Sequence, residues 1–254
     1  FLRLERERVE PLRKALDRYV ISEDVTLESL ADREGILSVE GPEASGILSE
    51  LTEQTQAEID ALEDLQSLAF SISGGDVWIV SRRREWTPRF DVSARADLSE
   101  DLLERAVAMG AVRGGELVRE TRRIEASRPL FGVDMDESHF PLEASLDEAV
   151  SFQKGCYIGQ EYVARLAHRG HLNRKLSGMS LAGPEAPSRG SAVLRDGEEV
   201  GLVTSAAFSP AMSRTLAFAY LKRGHWEPGT ELTVGTKAAV VSSLPFDFGR
   251  GRGA

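Results

Sequence analysis

The chain has 254 residues, 41% of them hydrophobic, enough for one large soluble domain or two of ordinary size. Lys and Arg number 31 against 41 Asp and Glu, a formal net charge of -10, which argues against non-specific nucleic-acid binding because that requires a basic footprint. A single cysteine excludes an internal disulfide and suits a reducing, cytoplasmic setting, and no apolar run approaches the roughly 18 residues of a membrane span.

The opening run LRLERERVEPLRK is too charged for a secretory leader, and Phe1 in place of Met leads us to expect an upstream portion not represented here. Val9, Leu12, Leu16 and Tyr19 predict a first helix ending near Tyr19. VTLESL and GILSVEG predict short strands, and GPEASGILSELT a helix with Pro42 at its first position. LQSLAFSIS and DVWIVSRR predict a hairpin turning at Gly74-Gly75-Asp76. LSEDLLERAVAMG predicts a helix capped by Ser99 and stopped by Gly110, and GGELVRETRRIEAS another with Leu117 and Ile124 on one face. A Pro- and Gly-punctuated stretch, RPLFGVDMDESHFPLEASL, leads into SFQKGCYIGQE, after which helical spacing resumes near Gln160.

From about Leu172 the pattern changes to short strands separated by Asp-Gly, Gly and Pro turns, which predicts a small barrel or sandwich. The expected organisation is an α+β region over residues 1–171, including the cysteine loop, and an all-β domain over residues 172–254.

Cys156 is the only thiol, flanked by Gly155 and Gly159 with Lys154 two residues before it. Free cysteine is most often a small buried hydrophobe, whereas flanking glycines suggest a backbone that approaches something closely. A nearby cation and a helix start would make the thiol acidic and accessible. His168 and His171, with Arg165, Arg169, Arg174 and Lys175, form a basic segment whose spacing matches no four-ligand zinc pattern, so no metal site is expected. Glu125 and Glu143 both occur as Glu-Ala-Ser; each is either a surface glutamate near a helix end or a carboxylate accepting two parallel hydrogen bonds from a ring.

KGCYIGQE resembles the signature octet of the YgfZ family of folate-binding proteins, relatives of the glycine-cleavage T-protein (aminomethyltransferase). RRIEASRPLFGVDMDE, FPLEASL, VARLAHRGHLNRKL and GLVTSAAFSP…LAFAYLKR…PF resemble family segments in the same order, from about Leu12 to Phe246. The resemblance implies a glycine-cleavage T-protein-like fold of α+β (ferredoxin-like) modules around a central opening, followed by an antiparallel β-barrel. It implies a tetrahydrofolate cofactor, or a one-carbon derivative, with Glu125 reading the pterin and Arg123 beside it. Tyr157 would offer a stacking face, and Lys154, Arg123 and Arg169 would balance the folate glutamate tail. Cys156 is the residue the resemblance marks as functional, facing the opening as a redox or transient cluster-contacting group. Octet-bearing members are linked to iron–sulfur cluster assembly or repair and to folate-linked tRNA modification. That makes such an accessory role the leading expectation, with iron–sulfur proteins as partners and no direct nucleic-acid or membrane contact. The alternatives are a true aminomethyltransferase of the glycine cleavage system and a scaffold that has lost its ligand. Two departures stand out: Ser127 replaces a glycine after Glu125-Ala126, and the early region, where T-proteins carry a catalytic aspartate, precedes Phe1.

Overall fold

The computed structural model describes residues 2–82, 87–168 and 171–248, with only the backbone of 166–168. Two compact units divide at Arg113 and Gly114.

The first unit begins with α1 (Arg6–Asp17), none of whose residues is buried. The predicted VTLESL strand does not form. The first strand is β1 (Glu34–Glu40), an edge strand that pairs with β4 (Arg89–Arg95) and not with the earlier segment. Helices α2 (Ala44–Thr52) and α3 (Gln56–Asp60) follow, the latter starting in a reciprocal capping box of Thr55 and Glu58 that sequence reading missed. The hairpin forms, but it turns at Ser73-Gly74, both at positive φ, one residue earlier than expected: β2 (Ser67–Ile72) and β3 (Gly75–Ser81) pair with Ile72 opposite Gly75. Strand β4, also missed, completes an antiparallel sheet in the order β1-β4-β3-β2.

Strand β4 runs directly into α4 (Ala96–Ala108), so that helix starts three residues before the predicted cap. Ser99 lies inside the helix, its hydroxyl donating to Ala94 O and Gly35 O and tying α4 to β1. Alternation sends Val39, Val77, Ile79, Phe90 and Val92 to the face covered by Leu48, Leu98 and Leu102, forming the core of this unit. Burying such a side chain is worth about 1.5–3 kcal/mol.

The second unit opens with α5 (Glu116–Glu125) and α6 (Gln160–His168), joined by turns and one 3-10 turn, Asp147–Ala149. Six strands follow: β5 (Arg174–Leu181), β6 (Ala192–Arg195), β7 (Glu198–Ser209), β8 (Arg214–Lys222), β9 (Glu231–Val234) and β10 (Lys237–Ser242). They close into a barrel in the order β10-β5-β8-β7-β6-β9, which removes every sheet edge. The interior is apolar, with Met179, Val193, Val203, Ala217, Ala219 and Leu221 all at most 1% exposed. Gly201 is fixed by packing, because a Cβ there would lie 2.3 Å from Tyr220 O. The expected α+β arrangement with a C-terminal antiparallel barrel is therefore present.

Of the two residues placed on one face of α5, Ile124 is buried against Leu176, Leu216 and Phe218. Leu117, two turns earlier, is 77% exposed.

Candidate functional site

Helix α5 carries Glu116 in its first turn and Arg122 and Arg123 in its last, charges that complement the helix dipole. It stops in a Schellman turn: Arg128 N donates to Arg123 O at 3.0 Å and Ser127 N to Ile124 O at 2.9 Å. Ser127, at φ +55°, takes the left-handed position that glycine would hold without strain. In compensation its hydroxyl accepts from Phe246 N at 2.9 Å, a bond glycine could not make.

This turn orients two charged side chains toward β7. Glu125 is 3% exposed. Its Oε1 accepts from Ser209 Oγ at 2.6 Å and its Oε2 from Arg122 Nη1 at 2.7 Å. A carboxylate offers about four lone-pair sites, so one on each oxygen remains after these bonds.

Arg123 is committed differently. Its Nε and Nη2 both reach Glu120, Nη1 donates to Arg128 O at 2.8 Å and Asp134 Oδ2 at 2.5 Å, and Nη2 also donates to Ser205 Oγ at 2.7 Å. Five bonds use all the N–H donors of a guanidinium, leaving none for a ligand in this arrangement. Burial alone would lower the Arg123 pKa, but Glu120 and Asp134 hold it above its ordinary value.

Asp134, with a fully buried side chain, is the centre of this network and was not singled out from sequence. Besides Arg123 it accepts from Leu130 N at 2.9 Å and from Thr204 and Ser205 hydroxyls, each at 2.6 Å. Consecutive strand residues normally point to opposite faces. Here the register shifts between Val203 and Ser205, and this bulge lets both hydroxyls reach the same oxygen. The Gly-Val-Asp of the sequence was the available signal.

The cysteine loop forms a second group. Ser151 Oγ accepts from Gln153 N and Lys154 N, starting a turn. Gly159, at φ +85°, needs a glycine, whereas Gly155 has no positive φ and open space around it. Gln160 Oε1 accepts from Tyr157 N as α6 begins. Cys156 is exposed, not buried in packing. The Lys154 ammonium lies over one face of the Tyr157 ring, 5.0 Å from its centre. Neither Arg123 nor Glu125 bonds to this loop among the described residues. Arg169 lies outside the described residues. Glu143 instead faces Arg174, its Oε2 lying 3.4 Å from Nε. Among the described residues, no group of His, Cys, Asp and Glu is arranged to hold a metal ion, and no helix is long and apolar enough to cross a membrane.

Known proteins share this architecture. Residues 5–154 match the family model for the GCVT N-terminal domain, and residues 174–247 match that for the glycine cleavage T-protein C-terminal barrel domain. The chain belongs to the glycine cleavage T-protein family. It is 35% identical over 224 residues to an aminomethyltransferase of Symbiobacterium thermophilum, covering 83% of this chain and 58% of that protein. An aminomethyltransferase of Streptomyces avermitilis is 32% identical over 235 residues, covering 88% and 62%. The chain thus spans about three fifths of the length of these relatives. The crystal structure of glycine cleavage system aminomethyltransferase T from Bartonella henselae shares the fold, with a TM-score of 0.80 at 22% identity over 96% of this chain and 67% of that one.

Proposed function

We propose that the chain is the folate-binding part of a one-carbon-transfer protein of the aminomethyltransferase type, working in the cytoplasm on reduced folate. The observation that carries this reading is the pair of family domains, matched in order along the chain, together with relatives named aminomethyltransferase at up to 35% identity. The donor set fits a pterin at one point. Glu125 is held by Ser209 and Arg122 and keeps a lone pair on each oxygen for a ring that presents two N–H groups side by side. Tetrahydrofolate would supply the ring nitrogens that carry the one-carbon unit. Glu125 would orient the ring, Arg123 would act as a positioning residue through Asp134, and Lys154 with Tyr157 would meet the glutamate tail.

Calorimetric titration with tetrahydrofolate tests the reading. Glu125→Gln should cost about 1.5–3 kcal/mol of binding, the range for a hydrogen bond to a charged group. Equal affinity in wild type and variant would remove Glu125 from the site.

One observation favours a second reading, a YgfZ-type accessory role in iron–sulfur cluster maintenance and linked tRNA modification. Cys156 is exposed in the KGCYIGQE loop, where a packing cysteine would be buried. Aminomethyl transfer measured with the full-length protein separates the two: turnover that survives Cys156→Ser supports the first. Absent turnover, with loss of iron–sulfur enzyme activity in cells carrying that variant, supports the second.

A further inference from the structure

In β4 the alternation that sends Phe90, Val92 and Ala94 into the core puts Arg89, Asp91 and Ser93 on the opposite face of the sheet. Asp91 is only 6% exposed, and in register it stands between Ser38 of β1 and Val80 of β3. Ser38 Oγ donates to Asp91 Oδ1 at 2.6 Å. Three arginines converge on the same carboxylate: Arg89 Nη2 at 3.3 Å, Arg82 Nε at 3.7 Å, and Arg3 from the N-terminal segment. Burial would raise the Asp91 pKa, yet Arg3, Ser38 and Arg89 together hold it below the ordinary value, so the local potential is positive.

Two of these guanidinium groups, those of Arg3 and Arg82, reach Asp91 from the solvent side. The Arg3 and Arg82 side chains have no other hydrogen-bond or ion-pair partner among the described residues and are 48% and 34% exposed. Each guanidinium carries five donors, so most of theirs remain available. Trp78 lies on the same face, opposite Ser93 and diagonal to Asp91.

We propose that this face binds an oxyanion, the carboxylate or phosphate group of a small ligand, on Arg3 and Arg82, with Asp91 as the internal counter-charge that holds the two guanidinium groups together. None of these residues belongs to the folate site proposed above, and the inference does not depend on it.

The test is calorimetric titration of the whole chain with inorganic phosphate and, separately, with citrate, against chloride at matched ionic strength. Tryptophan emission gives a second readout through Trp78. Saturable binding beyond the chloride control is expected. Arg82→Ala and Arg3→Ala should each weaken it about tenfold, as for loss of a charge-assisted hydrogen bond. Asp91→Asn should weaken it where that variant folds, because the carboxylate that gathers the guanidinium groups is gone. Tighter phosphate binding identifies a phosphate-bearing ligand and tighter citrate binding a polycarboxylate. No response beyond chloride, or equal affinity in wild type and both arginine variants, overturns the site. Arg82 and Arg3 are exposed enough for these variants to fold, so the test holds even if Asp91→Asn does not.

Discussion

Ser209 Oγ donates to Glu125 Oε1 at 2.6 Å across 84 residues of chain, joining the last turn of α5 to the end of β7. The same hydroxyl accepts from Met212 N at 3.1 Å, so one serine satisfies a buried carboxylate and a turn amide together. Ser209→Ala strands both groups. A buried group left unpaired costs about 1–3 kcal/mol. Urea unfolding of the variant should show a loss in that range. A loss under about 0.5 kcal/mol, the scatter of surface substitutions, would mean that the carboxylate finds another donor.

Asp134 should matter more. It accepts from Arg123, Leu130 N, Thr204 and Ser205, which fills the capacity of a carboxylate. Asp134→Ala would leave the buried Arg123 facing two hydroxyls and one amide without their common acceptor. Removing one partner of a buried pair costs about 3–5 kcal/mol. The expected outcome is a large fall in the urea midpoint. Arg123→Met with Asp134→Leu should recover much of it, because an apolar replacement of similar size avoids the stranded charge.

The barrel was legible because its turns are local. Asp196 and Gly197 both take positive φ between β6 and β7, which is what Asp-Gly signals in sequence. Strand β4 was not legible, because Asp91 and Ser93 look like loop residues until the arginines and Ser38 that face them are known. Glu125 could be picked out from its segment, but its partner Ser209 and the commitment of Arg123 to Asp134 and Ser205 depend on contacts that close only in the folded barrel. Cys156 was visible as a lone thiol, while its exposure depends on the turn set by Ser151 and Gly159.

Acid should weaken the first unit through Asp91. Its folded pKa lies below the ordinary 3.8. Its contribution is therefore complete above that value and is lost as pH falls through it toward the depressed folded value. Asp136 is also lowered, to about 2, by the Ser138 hydroxyl and N–H and by His139, but it is fully exposed and solvent screens its effect. The urea midpoint of the wild type should fall as pH drops below about 4, and Asp91→Asn should be less stable at neutral pH yet lose less over that window. Parallel pH profiles would show that Asp91 does not drive the change.

The Cys156 prediction separates packing from function most directly. The thiol is exposed, in a loop that turns at Ser151 and needs glycine at 159, and the Lys154 ammonium rests on Tyr157. An exposed side chain outside any packed cluster contributes little to stability, so Cys156→Ser should change the unfolding free energy by under about 0.5 kcal/mol. Iodoacetamide should alkylate the native protein nearly as fast as the urea-unfolded chain at the same pH, because no folding step is needed to reach the sulfur. Slow native alkylation, or a loss above about 2 kcal/mol in the serine variant, would return the residue to the core. Saturating tetrahydrofolate then supplies a second comparison. Slower alkylation in its presence would put the loop at the folate site. An unchanged rate, with folate binding confirmed by calorimetry, would detach the thiol from that site and leave a protein partner as the target against which Cys156→Ser should be assayed.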